Sequence, residues 1–74
     1  MVFDKLKKMI SETLDIDEDL ITMDAGLKDL DIDSLDVVEI IMDIEDEFQV
    51  EMPDEVVKKF KCIGDFVQYI EANK

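Results

Sequence analysis

The segment from Ser34 to Phe48 is the feature of this sequence that most restricts its fold. Apolar side chains recur there at helical spacing, and acidic side chains occupy the positions between them. This period fits an amphipathic α-helix and not a strand, whose faces alternate every second residue. Asp33 is a suitable N-cap, and Asp36 adds negative charge to the first turn, where the helix dipole favours it. We therefore predict a helix from Ser34 to about Phe48.

Three further helices are predicted around this one. The first runs from about residue 2 to residue 14. A short helix follows the start signal at Pro53 and runs from about Glu55 to Phe60, and the last runs from about Ile63 to Glu71. No alternating apolar run and no Asn-Gly or Asp-Gly turn indicates a pair of strands. The predicted fold is all-α: a small four-helix bundle with three longer helices and one short helix.

The stretch between Asp15 and Asp33 is predicted to be a long loop between the first and second helices. Its apolar residues recur without a regular face, and Gly26 and several Asp residues supply turn chemistry. The 74 residues suffice for one domain, residues 1–74. A chain of this size buries only about 60% of its unfolded surface, so its core must be thin.

The net charge of −13 is concentrated in the middle of the chain. The span from Asp15 to Glu55 holds 17 of the 21 acidic residues and one lysine, Lys28, and the chain has no Arg. Binding to DNA or RNA needs clustered basic residues that neutralise phosphates. A negative field also repels anionic membrane surfaces and steers basic proteins toward the acidic span. We expect basic protein partners, no nucleic acid and no membrane.

Cys62 is the only cysteine, and the chain contains no histidine. An intramolecular disulfide and a Cys-His nucleophile pair are therefore excluded, and we interpret Cys62 as a small, partly buried side chain. The sequence shows no signal-peptide layout and no apolar run near the roughly 20 residues that span a bilayer. We predict a cytoplasmic location.

The acidic residues do not form a calcium-binding motif. Asp29, Asp31 and Asp33 alternate as the ligands of a calcium loop do. The Gly at the sixth position and the Glu at the twelfth are missing, because Ser34 and Ile40 stand there. Asp15, Asp17 and Asp19 also alternate, but Leu20 and Gly26 stand at the sixth and twelfth positions of that run. We predict no metal site.

Ser34 has no partner that would make it a catalytic nucleophile. No histidine exists to take its proton, and it does not lie in a Gly-x-Ser-x-Gly turn. Carboxylates on a solvated helix lack the burial that shifts pKa values at catalytic sites. We predict that the protein is not an enzyme and that Ser34, if it is more than a helix cap, is modified by another protein.

Several short motifs together resemble the acyl carrier protein family, in particular free-standing carriers of the bacterial fatty-acid type. They are Asp33-Ser34-Leu35-Asp36, Val38-Glu39, Glu47-Phe48 and Met52-Pro53-Asp54-Glu55. The Asp-Ser-Leu triplet alone is weak evidence. At the start of an acidic helix, followed by Pro-Asp-Glu in a chain of this length, it is specific, and the resemblance covers nearly the whole chain.

The resemblance implies a function for Ser34. A separate phosphopantetheinyl transferase would attach 4'-phosphopantetheine from coenzyme A to Ser34, between Asp33 and Leu35, and acyl chains would ride on this arm as thioesters. A serine at a helix N-terminus is exposed, and its phosphodiester would lie near the positive end of the helix dipole. The resemblance further implies fatty acid biosynthesis as the pathway and partner enzymes with basic docking patches. We expect a monomer.

The resemblance also implies a recognition surface on the second helix. Carboxylates would contact Lys or Arg of the partners, with an apolar strip between them. The implied residues are Asp33, Asp36, Glu39, Glu45 and Asp46, with Leu35, Val38 and Met42 as the strip. Periodicity alone fits equally well a helix whose apolar residues are all core, and any one carboxylate can be a merely solvated charge.

An apolar cavity for the acyl chain is implied between the helices. Its lining would be Phe3, Leu6, Ile40, Ile44, Phe48, Met52, Val57, Phe60, Phe66 and Ile70. These residues are also the core candidates, and both roles are compatible because a thin core can open to accept a chain.

Four residues depart from the family pattern or from helix propensity. Phe66 stands where a smaller residue is common, which predicts a shallower cavity. Asp31 replaces a Gly, which permits backbone angles that Asp reaches only at some cost, so the geometry of the loop there stays open. Cys62 replaces a Thr that often caps the last helix, and Gly64 costs about 1 kcal/mol relative to Ala. Cys62 and Gly64 therefore predict that the start of the last helix is weakly held.

Two alternative functions stay open at this point. Within the family, the chain could be a dedicated carrier for a polyketide or another specialised pathway. Outside it, the chain could be an unmodified acidic interaction module in which Ser34 only caps its helix.

Overall fold

A computed structural model describes residues 2–73 of the chain. The helices in chain order are α1 (Val2–Leu14), α2 (Ser34–Phe48), α3 (Asp54–Val57) and α4 (Ile63–Asn73). The predicted all-α bundle of three longer helices and one short helix is confirmed. Within residues 2–73, no helix is long and apolar enough to cross a membrane.

One cluster of buried apolar side chains holds the three longer helices together. Helix α1 packs against both α2 and α4. Full burial of a large apolar side chain stabilises a fold by about 1.5–3 kcal/mol, so these contacts supply much of the stability. The side chains with 0–1% exposure that the helices contribute are Leu6, Ile10, Ile40, Ile44, Ile63, Phe66 and Ile70.

The bounds of the last two helices differ from the prediction. Helix α3 starts one residue earlier than predicted and ends at Val57 instead of Phe60. Beyond Val57 the backbone tightens, because the N–H of Phe60 bonds the carbonyl of Val57 at 3.0 Å, a three-residue separation. Helix α4 continues past Glu71 to Asn73, whose side-chain amide donates to the carbonyl of Tyr69 at 2.8 Å.

The long loop between α1 and α2 is ordered by its own hydrogen bonds, which the sequence did not reveal. It contains a 3₁₀ turn, Glu18–Leu20, capped by the side chain of Asp17. It also carries the buried side chains of Ile21 and Ile32. Gly26 forms an isolated antiparallel bridge with Cys62, which fixes the loop against the start of α4.

Asp31 has a φ of 58°, in the left-handed region that glycine adopts without strain. Asp31 therefore adopts backbone angles that Gly would reach at a lower cost. The N–H of Asp31 bonds the carbonyl of Lys28 at 3.1 Å, and that of Ile32 bonds the carbonyl of Leu27 at 2.9 Å. The strained residue thus closes the turn that leads directly into α2.

The start of α4 has two supports that compensate for Gly64 and Cys62. Gly64 is buried and its N–H bonds the carbonyl of Met23 at 2.9 Å, where an added Cβ would lie only 3.0 Å from that oxygen. The carboxylate of Asp65 accepts from the backbone N–H of Lys61 at 2.8 Å and of Cys62 at 3.3 Å. These contacts supply the cap that the Cys62 side chain supplies poorly.

The same contacts shift the titration of Asp65. The hydrogen bond from the Lys61 backbone lowers the pKa of the Asp65 carboxyl below its usual value, burial opposes this shift, and the Cys62 contacts reinforce it. The charged carboxylate is therefore the form that holds the start of α4.

Candidate functional site

Ser34 is the exposed first residue of α2, and a reciprocal cap fixes it there. The Asp36 N–H donates to Asp33 Oδ1 at 2.9 Å, and the Asp33 N–H donates to Asp36 Oδ2 at 3.3 Å. This capping box satisfies two backbone donors and sets the residue at which the helix begins. The helix that follows has 15 residues, so the positive end of its dipole lies at Ser34.

The predicted apolar strip of α2 is exposed. Leu35, Val38 and Met42 are 75%, 53% and 63% exposed, and their spacing of three and four residues places them on one face. We call these three residues the docking strip. Their exposure excludes the interpretation that every apolar residue of α2 belongs to the core.

Some acidic residues around the strip are simply exposed, and others also make hydrogen bonds within the protein. Glu39 and Asp46 are exposed, as is Glu45. Glu45 also holds the chain after α2, because its Oε2 accepts from the Met52 N–H at 3.1 Å. Asp36 is half-buried and belongs to the capping box. Some of the predicted contact residues therefore also stabilise the fold.

Ser34 lines two neighbouring pockets, and both are also lined by Leu27, Val37 and Phe60. The first, which we call the loop cleft, has a volume of about 660 Å³. The second, the α3 groove, has a volume of about 410 Å³. The loop cleft is completed by Gly26, Lys28, Asp29, Ile32, Asp33 and Lys61, and the α3 groove by Val38, Ile41, Asp54, Val57 and Lys58.

The residues predicted to line an acyl cavity lie in three places. Val57 and Phe60 line the α3 groove. Phe3 and Phe48 are partly buried against the core. The Phe60 ring packs edge-on against Phe66 with centroids 4.7 Å apart, so the groove adjoins the core. The remaining six are core residues: Leu6, Ile40, Ile44, Met52, Phe66 and Ile70. The cavity assignment stays a prediction.

Sequence reasoning missed several residues that line the pockets beside Ser34. Val37 and Ile41 lie three and seven residues after Ser34 in the same helix, so helical spacing could have found them. Leu27 and Lys61 carry no such signal, because the bridge between the loop and the start of α4 brings them together.

The site fits a group linked to Ser34 through a phosphodiester. The hydroxyl is on an exposed residue, the helix dipole favours negative charge at that position, and the same residue lines two pockets with room for the rest of the group. Within residues 2–73, no group of three or more His, Cys, Asp or Glu side chains is placed to hold a metal ion.

Comparisons with known proteins show which family the chain resembles. Residues 4–70 match the family model of the phosphopantetheine attachment site. An acyl carrier protein of Clostridium perfringens is 50% identical over 70 residues, which is 93% of this chain and 92% of the relative. An acyl carrier protein of Clostridium acetobutylicum is 49% identical over 74 residues, which is 99% of this chain and 96% of the relative.

A solved structure extends the comparison to the fold. It comes from work on the high thermal stability of acyl carrier protein from Enterococcus faecalis, and it matches with a TM-score of 0.81 at 39% identity. The match covers 99% of this chain and 94% of that one. Fold and family model together define a phosphopantetheine-bearing carrier domain. The chain belongs to the acyl carrier protein family: it carries acyl groups on a covalently attached 4'-phosphopantetheine and is not an enzyme.

Proposed function

We propose that Ser34 carries the 4'-phosphopantetheine arm and that the chain, as one carrier domain, transports intermediates of fatty acid biosynthesis. The observation that carries this proposal is the exposed position of Ser34 at the capped start of α2. The only other serine, Ser11, is half-buried inside α1, where its carbonyl accepts the N–H of Ile16 at 3.2 Å. A transferase needs an accessible hydroxyl, which favours Ser34.

The protein's own contribution at Ser34 is electrostatic and positional. The dipole of α2 stabilises a negative phosphodiester at its N-terminus, and the box between Asp33 and Asp36 keeps the helix start in place. The arm, once attached, supplies a terminal thiol that holds acyl groups as thioesters. The carrier needs no catalytic group for this task, because partner enzymes perform the chemistry.

The docking strip is the surface that we propose for partner enzymes. Exposed apolar residues at helical spacing fit a partner groove, and methionine adapts to several different partners. Glu39, Glu45 and Asp46 would contact basic residues beside that groove, and the charge of −13 would speed the encounter. The partners are the phosphopantetheinyl transferase and enzymes of fatty acid synthesis. The monomeric state and the cytoplasmic location stay predictions.

We also propose that the acyl chain enters the protein through the α3 groove. Val57 and Phe60 form its walls, and the completely buried ring of Phe66 lies directly behind Phe60. Phe66 then limits the depth available to the chain. Substitution Phe66→Leu should slow hydrolysis of long-chain thioesters relative to short-chain ones. An identical chain-length dependence in the variant and the wild type would remove this role from Phe66.

Intact mass measures the attachment directly. The unmodified protein, Ser34→Ala and Ser11→Ala are each incubated with coenzyme A, magnesium and a broad-specificity phosphopantetheinyl transferase. We expect one phosphopantetheine on the wild type and on Ser11→Ala, and none on Ser34→Ala. A gain that persists in Ser34→Ala, or no gain on the folded wild type, would contradict the proposal.

The pathway needs its own experiment. The loaded protein is charged with a malonyl group and offered to purified enzymes of fatty acid elongation together with acetyl-coenzyme A as primer and NADPH as reductant, so that condensation releases carbon dioxide and free coenzyme A. We expect extension of the bound chain at a rate comparable to that on a carrier known to serve these enzymes. Loading without extension would leave the carrier role intact and argue for a specialised pathway.

A further inference from the structure

The loop cleft places two lysines beside Ser34 in a strongly acidic protein. Lys28 is the only lysine between Asp15 and Glu55, and Lys61 follows α3. Both line the same cleft as Ser34. The N–H of Leu27 bonds the carbonyl of Lys61 at 3.0 Å, so the backbone next to Lys28 is tied to that of Lys61. The fold, and not sequence proximity, brings these two residues to one cleft.

Two carboxylates, those of Asp29 and Asp33, line the cleft beside the two lysines. The carboxylate of Asp33 already accepts the Asp36 N–H. The carboxylate of Asp29 lies over Gly26, where an added Cβ would be 3.0 Å from its Oδ2. Lys61 also has a favourable charge interaction with Asp65. The cleft has apolar walls as well, formed by Leu27, Ile32, Val37 and Phe60.

The α3 groove, the other pocket that Ser34 lines, has a different chemistry. The residues that it does not share with the loop cleft are mainly apolar, namely Val38, Ile41 and Val57, with one carboxylate and one lysine. A phosphopantetheine arm has a phosphate, a dimethyl-bearing segment and two amides, whereas an acyl chain is wholly apolar. The mixed cleft therefore suits the arm, and the apolar groove suits the chain.

We propose that the loop cleft is the resting site of the phosphate-proximal half of the arm, with Lys28 and Lys61 as its cationic contacts. An ammonium group near a phosphodiester provides a charge-assisted contact, and Leu27 and Ile32 offer apolar surface to the dimethyl segment. The α3 groove is then left free for the acyl chain. This inference rests on attachment at Ser34, the proposed function above.

The test is a nuclear Overhauser measurement on the loaded, unacylated protein. Ile32 lines only the loop cleft and Val57 only the α3 groove, so their methyl groups report the two sites separately. We expect cross-peaks from the arm's dimethyl protons to Ile32. The double variant Lys28→Gln/Lys61→Gln should weaken these cross-peaks at least twofold.

A matched control separates the two lysines from net charge. Lys8→Gln/Lys59→Gln makes the same charge change at residues that line neither pocket, and it should preserve the Ile32 cross-peaks. Equal weakening in both double variants would overturn the role of Lys28 and Lys61.

The wild-type spectrum tests the resting site independently of any variant. The sample is protein whose mass shows the arm. If its cross-peaks reach Val57 alone, or neither residue, the loop cleft is not the resting site of the arm, and the proposed function is unaffected. A mass measurement that shows no arm on Ser34 would overturn both, so the two failures are distinguishable.

Discussion

The two faces of α2 have similar apolar side chains and opposite environments. Ile40 and Ile44 are 1% and 0% exposed in the core, whereas Leu35 and Met42, on the docking strip, are 75% and 63% exposed. The buried pair contacts the other helices and stabilises the fold. The exposed strip contributes little to folding, and an apolar surface bordered by carboxylates is typical of an interaction site. The comparison teaches that one helix can hold the core with one face and leave the other, the proposed recognition surface, without a role in folding.

The largest expected effect tests the buried face. Ile44→Ala removes a completely buried side chain and should lower the free energy of unfolding by about 2–5 kcal/mol. Met42→Ala, on the exposed face, should change it by less than about 0.5 kcal/mol. Urea unfolding at neutral pH measures both. Equal losses would show that the two faces are not distinct.

The next largest effect concerns the N-terminal cap of α2, which supports the whole helix and therefore both of its faces. Asp33→Ala removes the acceptor for the Asp36 N–H and should cost about 1 kcal/mol of unfolding free energy. Asp33→Asn is the matched control, because asparagine caps equally well without the charge. Thermal unfolding should therefore rank the wild type and Asp33→Asn together. If Asp33→Asn were as unstable as Asp33→Ala, charge and not capping would be the cause.

A smaller effect lies in the loop, outside both faces. Asp31→Gly should raise the free energy of unfolding by up to about 1 kcal/mol, because glycine adopts the φ of 58° without strain. Asp29→Gly is the control, because it removes the same charge at a residue whose φ is not positive. It should not raise the free energy of unfolding. The midpoint of urea unfolding compares them. Stabilisation by both substitutions would indicate relief of charge repulsion instead of strain.

The smallest effect is the pH dependence contributed by Asp65 at the start of α4, whose buried side chains belong to the same core cluster as the buried face of α2. The folded-state pKa of Asp65 is lowered, so its stabilising contribution is complete above the usual carboxyl pKa of about 3.9 and is lost as the pH falls through the folded value. The stability difference between the wild type and Asp65→Asn should therefore narrow from pH 7 toward pH 3. A constant difference would show that the carboxylate charge is not involved.

The sequence predicted the parts of this protein that depend on local pattern. The bounds of α1 and α2, the cap at Asp33 and the position of Ser34 follow from periodicity and capping chemistry, which act within a few residues. The motif beginning at Asp33 also identified the family. The exposed strip was predicted from the resemblance to that family, because periodicity alone fitted a core role for its residues equally well.

The remaining features depend on contacts between distant residues. The bridge between Gly26 and Cys62, and with it the loop cleft that holds Lys28 and Lys61, forms only when the loop packs against the start of α4. The periodicity of a sequence does not predict a contact between residues so far apart in the chain. The early end of α3 has a similar origin, since a short helix depends on its surroundings more than on propensity.

The separation of the two faces can be tested most directly on Leu35, which is the most exposed residue of the docking strip. Leu35→Ala is measured for urea unfolding and for kcat/KM of loading by a phosphopantetheinyl transferase. Loss of an interface contact worth about 1–2 kcal/mol corresponds to a decrease of about 5- to 30-fold. We predict a decrease in kcat/KM of that size with unfolding free energy unchanged within about 0.5 kcal/mol. Unchanged loading together with a clear loss of stability would contradict the account.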